Sequence, residues 1–245
     1  MAAILEVEQL SKHFGGLQAV KDLSFTVGEG EIVALIGPNG AGKTTAFALI
    51  SGFLKPDTGQ VRFRGRSIVG RRPHEVCALG IARTFQIVRP FPHLTTLRNV
   101  MVGALARHSD LPTAEAYAKA VLEEVGLAAK SDQPASGLTL ADRKRLELGR
   151  ALGTEPTLLL LDEVMAGLNA TETERFVELI RAINRRGVTI VLIEHVMRAV
   201  MTVSQRVVVL NGGQLIAEGP PARVANDPAV IEAYLGEEYV GATQG

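Results

Sequence analysis

Nine residues, Gly37-Pro-Asn-Gly-Ala-Gly-Lys43-Thr44-Thr45, constrain this chain more than any others. They fit the spacing G-x-x-x-x-G-K-[ST], and their surroundings suit it. An apolar run, Ile32-Val-Ala-Leu-Ile36, leads in, and a helix-like segment from Thr45 to Ile50 leads out. Glycine accepts backbone angles that a side chain forbids. Gly37, Gly40 and Gly42 therefore let the chain curl until successive N–H groups face inward. The helix start adds unpaired N–H groups and the positive end of its dipole. Gly37, Pro38, Asn39, Gly40, Ala41, Gly42, Lys43, Thr44 and Thr45 are thus expected to cradle phosphates. Lys43 would reach the β- and γ-phosphates, and the Thr44 hydroxyl would ligate Mg²⁺. The competing reading is a glycine-rich turn with a surface lysine. The strand–loop–helix setting argues against it.

Composition removes several classes. Lysine plus arginine and aspartate plus glutamate number 26 each, so no overall basic field points to nucleic acid. Hydrophobic residues make up 47% of 245 residues, enough for a sizeable core. No run approaches the roughly 18 apolar residues that span a bilayer. The start, Met1-Ala-Ala-Ile-Leu-Glu, lacks the basic region and long apolar stretch of a secretory leader. Cys77 stands alone, which excludes an internal disulfide, suits a reducing compartment and reads as packing on a helix face. With no C-x-x-C or H-E-x-x-H spacing, a protein-built zinc site is not expected.

In chain order, Ile4–Leu10 and Leu23–Val27 read as strands around a Gly15-Gly16 turn. Phe14, just before that turn, has two readings: it lies against a nucleotide base or it packs in the small sheet. Pro56-Asp-Thr-Gly59 reads as a turn, Val61–Phe63 as a strand and 73–79 as a short helix ended by Gly80. Ile81–Phe85 reads as a strand with Gln86 at its end, where ligands bind in open α/β sheets. Pro90 and Pro92 then break the pattern. Helical periodicity takes over in Thr96–Ala106, Thr113–Val125 and Leu140–Leu152. The last of these opens Thr139-Leu-Ala-Asp142, near a capping box, and its charges Arg143, Lys144, Arg145, Glu147 and Arg150 read mostly as a solvated face.

Leu158-Leu-Leu-Leu161 suits a strand buried on both faces, and two acids, Asp162 and Glu163, follow it. Such acids fit poorly in a core but well beside Mg²⁺ and phosphate. Asp162 would hold the metal and Glu163 would orient and deprotonate the attacking water. Residues 171–186 read as a helix opened by a capping box at Thr171-Glu-Thr-Glu174. Val188–Ile193 reads as a buried strand ending in Glu194-His195, and that histidine is either structural or a γ-phosphate contact. A hairpin across Asn211-Gly-Gly213 and a helix from Asp227-Pro228 to Leu235 complete the chain, leaving a loose tail beyond Tyr239. Alternating apolar strands and helices imply a mostly parallel α/β sheet, and the residues together a nucleoside-triphosphate phosphohydrolase.

The ordered set Phe14, Gly37–Thr45, Gln86, Leu138–Arg145, Leu158–Glu163, Gly167–Asn169 and His195 resembles the ATP-binding-cassette (ABC) ATPase family, from about Leu5 to Leu235. The resemblance implies a P-loop NTPase fold with an antiparallel N-terminal β-subdomain and an inserted helical subdomain. On it the chain is one domain, 1–245, with 1–86 and 154–245 forming the ATP-binding core and 87–153 the helical part. Phe14 becomes the adenine-stacking residue. Gln86 becomes a Mg²⁺ and water contact, and His195 the γ-phosphate switch. Catalysis falls to Glu163, His195, Gln86 and Lys43, and metal binding to Thr44, Gln86 and Asp162. Arg83-Thr-Phe-Gln86, Ala166-Gly-Leu-Asn169 and the ending Asp227–Glu237 look like the branched-chain amino acid uptake subgroup.

The resemblance further implies two such ATPases meeting head to tail, each signature completing its partner's ATP site. It also implies two permease subunits, a separate solute-binding protein and a peripheral place on the cytoplasmic face of the inner membrane. The signature here, Leu138-Thr-Leu-Ala-Asp142, departs from Leu-Ser-Gly-Gly-Gln. Thr139 keeps a hydroxyl, Ala141 replaces a glycine and Asp142 replaces the glutamine. Gly167, Leu168 and Asn169 form the D-loop, with asparagine where aspartate is commoner. The atypical signature suggests a heterodimer with a second, different ATPase. Service in an exporter of lipopolysaccharide type, or a soluble non-transport role, are the alternatives.

Overall fold

The computed structural model describes residues 2–86 and 89–234. The chain opens with a long hairpin, β1 (Ala3–Phe14) and β2 (Leu17–Gly28), which turns at Gly15-Gly16 with Phe14 opposite Leu17. β3 (Ile32–Ile36), the glycine loop and α1 (Lys43–Ile50) follow. β4 (Thr58–Phe63) and β5 (Arg66–Ser67) complete a four-stranded antiparallel sheet ordered β2-β1-β4-β5.

Next come α2 (Pro73–Leu79) and β6 (Ile81–Arg83). Between β6 and the next strand lie three mutually packed helices: α3 (Thr96–Ala104), α4 (Leu111–Glu124) and α5 (Leu140–Leu152). The chain then alternates through β7 (Leu158–Asp162), α6 (Ala170–Arg185), β8 (Thr189–Ile193) and α7 (Met197–Val203). It ends with the hairpin β9 (Arg206–Asn211) and β10 (Gln214–Gly219), the short α8 (Pro221–Val224) and helical residues 228–234.

The second sheet is ordered β10-β9-β3-β8-β7-β6 and is parallel except for the β9–β10 hairpin. It divides two cores. Ile32, Ala34, Ile36, Leu159 and Leu161 point to one, and Val33, Leu35, Leu158 and Leu160 to the other. Every residue of β3, β7 and β8 is buried, as expected of strands covered on both faces. Because these strands run in parallel, their carboxyl ends emerge on one edge. The glycine loop, the two acids and His195 therefore share that edge. The expected mostly parallel α/β sheet with an antiparallel N-terminal sheet and inserted helices is the observed fold.

Several local expectations are corrected. Thr58 and Gly59 belong to β4 rather than to a turn. Gly59 takes φ +88 opposite a bulge in β1, where a Cβ would meet Gln9 O at 2.3 Å. β6 stops at Arg83, two residues before Phe85, and α3 stops at Ala104. α6 starts one residue before Thr171, and its capping box is Asn169 with Glu172, not Thr171 with Glu174. The face of α5 is not uniformly solvated: Asp142, Lys144 and Glu147 are buried. α7 was not foreseen, being seven residues long with Val196 at its cap and no side chain closing its first turn. The final helix is present over 228–234, while Leu235 and the tail lie outside the described residues.

Candidate nucleotide site

The glycine loop is shaped by backbone crowding. Gly37 takes φ +148, and a Cβ there would stand 2.1 Å from the Leu210 carbonyl oxygen of β9. Gly42 takes φ +96 at the cap of α1, where a Cβ would stand 2.4 Å from Ala19 O. No other residue type fits either place without moving backbone. Lys43 is buried, and its Nζ donates to the carbonyls of Gly37 at 2.6 Å and Pro38 at 2.8 Å. The ammonium thus sits folded over the mouth of the loop.

Beside the loop is a cavity of about 540 Å³. Asn39–Thr45 form one wall, and Phe14, Leu17, Gln18 and Ala19 of the β1–β2 hairpin another. Gln86, Glu163 and His195 close it, each from a different part of the chain. Phe14 is 47% exposed, with Lys12 Nζ 5.8 Å from its ring centre. It is therefore a cavity wall and not a core residue of the small sheet. Gly37, Pro38 and Asp162 stand behind the lining.

The two adjacent acids differ sharply. Asp162 ends β7 at 1% exposure. Its backbone N–H donates to Thr84 Oγ1 at 3.1 Å, and its Oδ2 accepts from Arg83 at 2.8 Å. Its Oδ1 is buried without a hydrogen-bond partner. Burial pushes this carboxyl above its ordinary value, against the pull of the Arg83 guanidinium. Glu163, one residue on, turns out of the strand at φ +50. That left-handed angle costs a non-glycine residue about 1 kcal/mol or more, and its neighbours hold it. Its N–H donates to Ile193 O at 2.9 Å, and Lys144 Nζ donates to its carbonyl at 2.9 Å. Its carboxylate accepts from Gln86 Nε2 at 2.7 Å on one oxygen and lies 3.0 Å from His195 Nε2 on the other.

Behind this edge, Glu194 is 2% exposed and accepts from the Met165 N–H at 2.7 Å. Burial raises its carboxyl to about 7. Glu147, also raised by burial, accepts from the Phe85 N–H just before Gln86.

The signature residues lie away from the cavity. Thr139 caps α5, accepting from the Asp142 N–H at 3.2 Å and donating its hydroxyl to Asp142 Oδ2 at 2.8 Å. Asp142 also pairs with Lys130. Burial pushes the Asp142 carboxyl up, but the Lys130 and Thr139 hydrogen bonds outweigh it and the carboxyl ends below its ordinary value. Ala141 is half-buried. Gly167, at φ +79, lies so close to the signature that a Cβ would meet Leu140 Cδ2 at 3.1 Å. Leu168 is half-buried, and Asn169 caps α6.

Sequence reasoning passed over Arg83, Thr84, Lys144 and Glu194 as parts of the site. For Lys144 a signal existed: it lies on the helical stripe with Glu147, Leu148 and Ala151, all buried.

Comparison with known proteins places this geometry. Residues 20–166 match the family model described as ABC transporter. The high-affinity branched-chain amino acid transport ATP-binding protein LivG of Salmonella typhimurium is 42% identical, across 96% of this chain and 98% of its own. The chain belongs to the ATP-binding-cassette transporter family. A second model, branched-chain amino acid ATP-binding cassette transporter, matches residues 214–240. The corresponding protein BraF of Pseudomonas aeruginosa is 40% identical across 96% of this chain. Among solved cassettes, the ADP conformation of MJ1267, an ATP-binding cassette of an ABC transporter, superposes with a TM-score of 0.88 at 32% identity. That match covers 96% of this chain and all of that one. A nucleotide-free cassette from an ABC transporter gives 0.88 at 31% identity over 95% of this chain. As a cassette, this protein is an ATPase coupled to transport. No described helix is long and apolar enough to cross a membrane.

Proposed function

We propose that this cassette powers uptake of branched-chain amino acids or a closely related small solute, with Glu163 activating the water that attacks ATP. The observation that carries the reading is the Glu163 carboxylate, held between Gln86 and His195 on the edge of the cavity that the glycine loop lines. The matched C-terminal segment and the names of the full-length relatives support the solute class.

In this reading Lys43 exchanges the Gly37 and Pro38 carbonyls for β- and γ-phosphate oxygens. The loop amides bind the phosphates, and Phe14 stacks on the adenine. The residues also fit Mg²⁺: Asp162 Oδ1 is a buried acceptor with no partner, and Thr44 offers an exposed hydroxyl on the cavity wall. Thr44, Gln86 and Asp162 would hold the ion, directly or through water. When bound, it would neutralise charge on the β- and γ-phosphates. Glu163 accepts a proton from the attacking water, and Gln86 and His195 keep its two oxygens aimed. His195 Nε2 carries the proton in this arrangement, since a carboxylate only accepts.

Residues 1–86 and 154–245 would act as the ATP-binding core and 87–153 as the helical part that passes motion on. A second cassette, a paralogue on our reading, would meet this one head to tail. Its ATP would receive the Thr139 hydroxyl, the Ala141 and Asp142 backbone and the D-loop, Gly167, Leu168 and Asn169. Thr139 must then release Asp142, its present acceptor. Two permease subunits, served by a solute-binding protein, would hold the pair on the cytoplasmic face of the inner membrane.

The test is to tag the C-terminus, solubilise membranes gently with ATP present and identify the bound chains by mass spectrometry. Leucine uptake is measured with and without the gene. Two permeases, a second cassette and lost uptake are the expected result. Capture without permeases would overturn the importer reading, and unchanged leucine uptake would remove leucine as its cargo.

A further inference from the structure

The Arg83–Asp162 pair is the most enclosed ion pair among the described residues, with side chains 8% and 1% exposed. The guanidinium sits among three rings, its carbon 5.8 Å from the centre of Phe47, 5.9 Å from Phe53 and 5.4 Å from Phe85. Phe53 and Phe85 meet edge to face at 5.5 Å and close the seat from the solvent side. A long contact of 3.4 Å reaches Ser51 Oγ, and Nε has no hydrogen-bond partner. One strong hydrogen bond and a cage of aromatic faces therefore fix this cation.

The bond goes to one oxygen of Asp162 and leaves the other bare. A carboxylate buried this deeply is costly as an ion unless a cation stays beside it. A fixed guanidinium on Oδ2 also sets the plane of the carboxyl group, and hence the direction of Oδ1. Two effects on a divalent cation oppose each other. The guanidinium repels it, but it also keeps the carboxylate aimed, with Oδ1 open. The guanidinium's one strong hydrogen bond is made to Oδ2, away from the open oxygen, while the plane it fixes decides where Oδ1 points. The second effect therefore dominates.

We propose that Arg83 is the positioning residue of the metal site, holding Asp162 as an oriented ligand so that Mg²⁺ tightens nucleotide binding. This rests on the ATPase reading above, and the experiment separates the two. MANT-ATP, a fluorescent ATP, is titrated into the purified chain with excess Mg²⁺ and again with EDTA. The quantity read is the ratio of the two affinities. Arg83→Met is expected to keep its metal-free affinity within about twofold and to lose at least tenfold of the Mg²⁺ enhancement. Arg83→Lys keeps the charge without the planar fork and recovers part of the enhancement. A merely structural role would lower both affinities together and leave their ratio unchanged.

A wild-type ratio in Arg83→Met, or a larger one, overturns the proposal. Should that variant not fold, Arg83→Lys carries the test: a reduced ratio supports the proposal and a wild-type ratio overturns it. If the wild-type chain binds no MANT-ATP under either condition, the ATPase reading fails instead.

Discussion

The phosphate loop and the acidic edge face each other across one cavity but are built differently. The loop is nine consecutive residues, and its shape comes from backbone. Gly37 and Gly42 are pressed against the carbonyls of Leu210 and Ala19, where no Cβ fits. The acidic edge gathers side chains from β6, α5, β7 and the loops after β6, β7 and β8. Arg83 sits on Asp162, Gln86 and His195 on Glu163, and Lys144 on the Glu163 carbonyl. A site made of backbone is written in one stretch of sequence. A site made of side chains is written wherever the fold brings the chain past it. The first should fail when its glycines change. The second should fail when single atoms change and the backbone stays.

The largest effect on nucleotide binding is expected at Gly37→Ala. The added methyl would lie 2.1 Å from Leu210 O, so the loop or β9 must move. Nucleotide affinity should fall at least 100-fold in a fluorescence titration. Near-normal binding would show that the loop does not depend on this close approach. His195→Ala is the contrasting case. It leaves one Glu163 oxygen without its 3.0 Å neighbour but leaves the loop untouched. Turnover at saturating ATP should drop on the order of 100-fold, while affinity stays within a few-fold. Equal losses in both would erase the division between binding wall and catalytic edge.

Glu194→Gln probes the support behind that edge. Burial raises the carboxyl to about 7, above the ordinary 4.5 of an unfolded glutamate. Between those values the folded protein holds a proton that the unfolded chain releases, so stability falls as pH rises through that window. Glutamine keeps the acceptor for the Met165 N–H but cannot ionise. From pH 5 to pH 8 the wild-type chain should lose on the order of 3 kcal/mol more than the variant, measured by urea unfolding. Parallel pH profiles would mean that Glu194 titrates normally. The smallest effect is at Asn169→Ala, which removes the cap of α6. About 1 kcal/mol of stability should go, with binding of nucleotide by the isolated chain unchanged.

The same contrast explains what could be read from the sequence. The glycine loop, the buried leucine strand with its two acids and the 140–152 helix were visible because each depends on near neighbours. The parallel sheet followed from apolar runs whose every residue is now buried. The charges of α5 misled because a local pattern cannot say which face meets β6 and the turn at Glu163. Lys144 reads as one basic residue among three, yet it is 4% exposed and bound to Glu163. The start of α6 shifted because two overlapping capping boxes fit the sequence, and the backbone after Gly167 selects Asn169. Arg83 was legible as a motif residue but not as the partner of Asp162, since 79 residues separate them.

The most direct test is Glu163→Gln, an exchange of one oxygen for one nitrogen. MANT-ATP affinity and single-turnover hydrolysis are measured on the same preparation, with Mg²⁺ present. The expected result is binding at least as tight as wild type, with hydrolysis slowed about 1000-fold. Wild-type turnover in that variant would remove Glu163 from the reaction, and with it the role assigned to the acidic edge.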